Sequence, residues 1–130
     1  MTTDLVMLVW TALLCLLVPA LYLIGRAQAP GGMAWAFGNR ETTLAAAPWV
    51  GRAERAHRNL VENLGPFAVL VLVANVSGRA DAATALGATL FFWARLGHVV
   101  VYTAGLVGVR TAVFFVGTAG ELLILSRLLA

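Results

Sequence analysis

Four apolar runs, each about as long as a bilayer is thick, leave this chain little freedom in how it folds. They cover Leu5 to Ile24, Leu60 to Val76, Ala82 to Ala104 and Thr111 to Leu129. A membrane-spanning helix takes roughly 20 apolar residues. Hydrocarbon offers no partner to a free backbone N–H or C=O, so such runs become helices whose hydrogen bonds close within the span. The pattern therefore predicts an all-α integral membrane protein, a bundle of four transmembrane helices over about 5–24, 53–76, 82–104 and 111–129. Residues 1–130 form one domain in this reading, with no repeat and no room for a soluble module.

The links set the arrangement. Ser77-Gly78-Arg79-Ala80-Asp81 and the stretch Gly105 to Gly108 are tight turns, so helices two, three and four run up and down as neighbours. Pro19 is expected to kink helix one. The long connection, 25–51, carries Pro30-Gly31-Gly32 and Pro48, with Trp35, Phe37 and Trp49 suited to the headgroup belt. Arg26, Arg40, Arg52, Arg55 and Arg58 flank this loop, and Arg110 lies on the same side. Only Arg79 and Arg127 face the other way. The positive-inside rule puts the 25–51 loop in the cytoplasm and both termini outside.

Charged residues make up 12% of the chain, against about 25% in soluble proteins. The net charge of +3 comes from nine arginines and no lysine. With no soluble basic domain to hold a duplex, that charge argues for membrane flanks, not nucleic acid. The lysine-free, alanine-rich usage suggests a bacterial inner membrane. The acidic start, Met1-Thr2-Thr3-Asp4, lacks a basic n-region, so the first run is expected to be retained. The single cysteine, Cys15, forms no intrachain disulfide and is read as apolar packing. Two histidines without a cysteine cluster make no metal site.

The chemistry concentrates where helix two enters the membrane. Residues 52–66 put Arg55, Asn59 and Glu62 at i, i+4 and i+7, with Arg58 four residues before Glu62. On a helix these share one stripe. Polar groups in hydrocarbon are costly and usually serve a site. Arg95, His98 and Tyr102 repeat the pattern on helix three, and Arg110 followed by Thr111 opens helix four. Together they suit a small zwitterionic or anionic ligand: arginines for carboxylates, Glu62 for an ammonium, Asn59 for a peptide group. The plainer alternative is an internal Arg58–Glu62 pair, with Arg52 and Arg40 reaching to headgroups. By rise per residue, Glu121 lies about 16 Å along helix four and Arg95 about 13 Å from the same side. This depth match predicts a buried, structural Arg95–Glu121 ion pair.

Arg-Ala-His-Arg-Asn-x-x-Glu-Asn at 55–63 resembles the helix-two signature of the MAPEG family, membrane-associated proteins in eicosanoid and glutathione metabolism. Arg95-x-x-His98-x-x-x-Tyr102, followed by Arg110, resembles its second signature. The resemblance implies a homotrimer in which glutathione binds between subunits, open to cytoplasm and bilayer. It implies glutathione contacts at Arg55, Arg58, Asn59, Glu62, His98 and Tyr102. Arg110 would stabilise the thiolate, with Thr111 as a neighbouring hydroxyl, and Arg26 would be a further glutathione contact. The implied activity is a glutathione-dependent transferase or peroxidase acting on lipophilic electrophiles. Phe114 stands where several eicosanoid enzymes carry tyrosine, and the stretch before Arg110 lacks a proline common there. These departures keep an alternative open: a non-catalytic structural or lipid-binding subunit working with other membrane chains.

Overall fold

The computed structural model describes residues 1–130 and contains no strand. Its helices are α1 (Thr3–Ala27), α2 (Gly32–Phe37), α3 (Pro48–Val76), α4 (Ala82–Ala104) and α5 (Val107–Leu129). All but α2 are long and apolar enough to cross a membrane. Only 23 of 130 residues are buried, while Leu16, Val69, Trp93 and Phe115 stand open on the outside. A soluble monomer does not tolerate that much apolar surface, so the solvent of this bundle is lipid.

Two helix starts and one additional helix differ from the sequence expectation. The second spanning helix starts at Pro48, five residues ahead of 53, because proline at the first helical position loses no hydrogen bond. The fourth starts at Val107 and takes in Gly108, which reads as a turn residue. The loop 25–51 contains the six-residue α2. Its Trp35 lies between two guanidinium groups, with Arg26 Cζ 5.1 Å and Arg40 Cζ 5.5 Å from the ring centroid. Arg40 folds back from a left-handed backbone conformation, φ 58°.

The core follows from residue size. Phe67 of α3 stacks on Phe91 of α4 at 3.9 Å between centroids, surrounded by Val71, Ala74, Ala88 and Ile124. Helices α4 and α5 pack backbone to backbone. A Cβ on Gly87 would meet the carbonyl oxygen of Gly120 at 2.6 Å, and one on Gly120 would meet that of Gly87 at 2.5 Å. With no hydrophobic drive between helices in lipid, such close approach supplies the attraction. Gly120→Ala forces two backbones apart and should cost about 1–3 kcal/mol in a melt of detergent-solubilised protein. An unchanged melting curve would refute this packing.

Pro19 leaves a mark on the neighbouring helix. It has no N–H to give the carbonyl of Cys15, four residues back. That oxygen lies 3.1 Å from Nε2 of His57 on α3 instead. Nε2 must then carry the proton, leaving Nδ1 to accept from the Tyr22 hydroxyl at 3.2 Å. Cys15 Sγ lies 3.7 Å from the same Nε2, so the cysteine is part of this tie, not plain packing.

At the end of the bundle away from the α1–α3 loop, polar side chains lash the helices together. Asp4, 1% exposed, accepts from Asn75 Nδ2 at 3.1 Å and the Thr84 hydroxyl at 3.2 Å. Asp81 caps α4 through the backbone N–H groups of Ala83 and Thr84 and pairs with Arg127. The Thr84 N–H, and after it the Arg127 guanidinium, hold the Asp81 carboxyl below its ordinary 3.8. A depressed carboxyl contributes stability above its unfolded pKa and loses it as pH falls through the folded one. Stability should therefore drop below about pH 4. Asp81→Asn, which still caps but cannot titrate, should flatten that part of the pH profile of unfolding. An identical profile in the variant would remove Asp81 as the cause.

Candidate functional site

Where α3, α4 and α5 meet near the loop end, a pocket of about 270 Å³ is lined by Asn59, His98, Tyr102, Arg110, Thr111, Phe114 and Phe115. Each helix brings its residues by spacing alone. His98 and Tyr102 are one turn apart on α4, while Arg110, Thr111, Phe114 and Phe115 cover the first two turns of α5. Ahead of them α4 closes on Gly105, φ +86°, with Leu106 N–H bonded to the Val101 carbonyl and Gly105 N–H to that of Tyr102. This is a Schellman cap, and it turns the chain so that Arg110 comes back over Tyr102. The Arg110 Cζ lies 4.5 Å from the Tyr102 ring centroid.

Arg52 supports that turn. Its Nε donates to the Thr103 carbonyl at 2.8 Å, and its guanidinium lies against Gly105, where a Cβ would approach Arg52 Nε to 3.3 Å. Arg52 therefore holds the α4–α5 turn and does not reach to headgroups.

The pocket keeps its polar atoms available. His98 is only 4% exposed and makes no hydrogen bond within the chain. Its ring meets Tyr102 edge-on at 5.4 Å and Phe114 at 6.2 Å. Thr111 Oγ1 donates to the Val107 carbonyl at 3.3 Å, so its proton is already engaged in the helix.

Behind the pocket lies Arg95, 1% exposed. The expected Arg95–Glu121 ion pair is not formed: the two ion pairs of the chain are Arg26–Glu54 and Arg127–Asp81. Arg95 Nη1 donates to Asn59 Oδ1 at 3.2 Å and Nη2 to Asn63 Oδ1 at 3.1 Å. The guanidinium is flanked by the rings of Phe91 and Phe114, with centroids 4.8 and 4.9 Å from Cζ. Equal depth along two helices does not fix which way a side chain turns, and the asparagines of α3 offered closer oxygens. Oε1 of Glu121 is buried without a partner.

The helix-two stripe divides. Asn59 reaches the pocket, whereas Arg55, Arg58 and Glu62 stand exposed on the outward face of α3. The internal Arg58–Glu62 pair is absent, since neither residue belongs to an ion pair. Arg26 pairs with Glu54 and lies over the Tyr22 ring. Arg26, Glu54 and Arg55 line a different depression, of about 400 Å³, beside Leu44 and Pro48. One chain thus brings Asn59, His98, Tyr102, Arg110 and Thr111 together and leaves Arg26, Arg55, Arg58 and Glu62 outside. Sequence reasoning missed the cradle of Asn63, Phe91 and Phe114 around Arg95. The signal for Asn63 was available, because it follows Asn59 by four residues on the same face.

A family model described as MAPEG family matches residues 6–130. No curated protein and no solved structure matches the chain.

Proposed function

Because the chain belongs to the MAPEG family, we propose that it is a glutathione-dependent transferase or peroxidase acting on lipophilic electrophiles within the membrane. The observation that carries this reading is the pocket that unites Asn59, His98, Tyr102 and Arg110 near the loop end of the spanning helices. Arg110 supplies a positive charge in this pocket. It would favour the thiolate form of glutathione, which is the nucleophile. Phe114 and Phe115 beside it offer an apolar approach for the electrophile.

The assembly in this proposal is a homotrimer. A pocket of about 270 Å³ lies below the usual ligand range of roughly 300–1,000 Å³, so a tripeptide needs a second surface. The exposed Arg55, Arg58 and Glu62 provide one, and charges on a lipid-facing stripe favour cover by a neighbouring copy. Arg26 joins the site from that neighbour once its pairing with Glu54 is exchanged for the ligand. The loop end faces the cytoplasm, with both termini outside, in a bacterial inner membrane.

Purified protein given millimolar glutathione should show the ultraviolet absorbance of a thiolate at neutral pH. Absence of both binding and absorbance would sink the enzyme reading. One observation favours the alternative, a non-catalytic structural or lipid-binding subunit: Phe114 has no hydroxyl to give a substrate, and its ring lies against Arg95.

A further inference from the structure

We propose that Arg95 is a positioning residue that fixes the side-chain amide of Asn59, so that the pocket meets its ligand there with an N–H donor. The site then selects a carbonyl or carboxylate oxygen at that point. This rests on the glutathione reading only for the identity of the ligand, whose carbonyl and carboxylate oxygens would be the acceptors.

The orientation follows from which groups at the two Nη atoms can donate and which can accept. A guanidinium only donates, and an asparagine side chain offers one oxygen and one NH₂ group. Asn63 Nδ2 donates to the Asn59 backbone carbonyl at 2.7 Å, which leaves Asn63 Oδ1 for Arg95 Nη2. Arg95 Nη1 then takes Asn59 Oδ1. Turning the Asn59 amide over would set NH₂ against a buried cation, donor facing donor, and would forfeit a charge-assisted bond.

Arg95 itself has little room to shift. Phe91 and Phe114 close on its two sides. A Cβ at Gly117 would come within 3.3 Å of its Cζ, Nε and Nη2. With the oxygen so committed, Asn59 Nδ2 makes no hydrogen bond within the chain, and Asn59 lines the pocket. Arg110 is the second donor-only group there, while His98 and Tyr102 can act either way.

The test swaps the donor without disturbing the clamp. Asn59→Asp keeps an oxygen for Arg95 but turns the pocket-facing donor into an acceptor. It should assemble and melt like wild type while glutathione affinity, measured by calorimetry, falls about tenfold or more. Wild-type affinity in Asn59→Asp overturns the proposal. Arg95→Lys, which also only donates, should stay within about threefold of wild type, whereas Arg95→Gln, which lets the amide turn, should lose about three- to tenfold. A tenfold loss in an assembled Arg95→Lys variant, or none in Arg95→Gln, overturns the positioning role.

Acetate, an acceptor without thiol or peptide, separates the proposal from the glutathione reading through broadening of its methyl resonance. If wild type binds acetate but not glutathione, the glutathione reading fails, and the effect of Asn59→Asp on acetate decides the proposal. If it binds neither, the donor assignment is overturned as well.

Discussion

Replacing Arg95 with leucine should lower the stability of the bundle by about 3–5 kcal/mol. The two half-buried asparagine oxygens that receive its Nη1 and Nη2 would each lose a charge-assisted bond, at about 1–3 kcal/mol apiece. The two ring faces around it would lose a cation as well. Adding Glu121→Leu should recover little, because the two side chains do not form an ion pair. Adding Asn63→Leu should recover more, since removing both partners of a buried hydrogen bond costs less than removing one. Denaturant unfolding in mild detergent reads all three proteins. A full recovery with Glu121→Leu would mean that the two charges stabilise each other directly after all.

Arg110→Leu should leave helix content and melting nearly unchanged, because Arg110 makes no ion pair and no side-chain hydrogen bond, only a contact with the Tyr102 ring face. On the proposed function it should abolish the thiolate absorbance and cost about 10²–10³ in kcat/KM, the usual loss when one preorganised charge-stabilising donor is removed. Glutathione should still bind, more weakly, through Asn59, Tyr102 and His98. Collapse of the fold in this variant, or full thiolate absorbance, would assign the charge stabilisation elsewhere.

The spanning helices were legible because run length against bilayer thickness is a coarse, robust quantity. Their starts were not. Helix α3 begins with Pro48-Trp49-Val50-Gly51, a stretch that reads as the end of the loop, although Pro48 at its first position is a start signal. Helix α2 is too short for any periodicity, and it depends on contacts of Trp35 with arginines before and after it in the chain. In the pocket, residues one turn apart were placed by sequence because one helix fixes them, as with His98 and Tyr102. Pairings between helices depend on rotation about each axis, which residue counts do not contain. That is why Arg95 found Asn59 and Asn63 when Glu121 had been expected.

The fastening of α5 is uneven along its length. Its final turns are gripped: Arg79 donates to the carbonyls of Arg127 and Leu128, Arg127 holds Asp81, and Gly120 locks onto Gly87. Its first turns, from Val107 through Thr111, have largely exposed residues, and their one polar side-chain tie to another helix is Arg110 over the Tyr102 ring. The helix is therefore a lever anchored at one end, with Arg110 near the end that can swing. Backbone hydrogen exchange should be fast around Val107 to Ala112 and slow from Gly117 onward, and a ligand gripping Arg110 should erase most of that gradient. The protein would then trade local looseness for ligand contact, and the order of its last helix would report whether the pocket is filled.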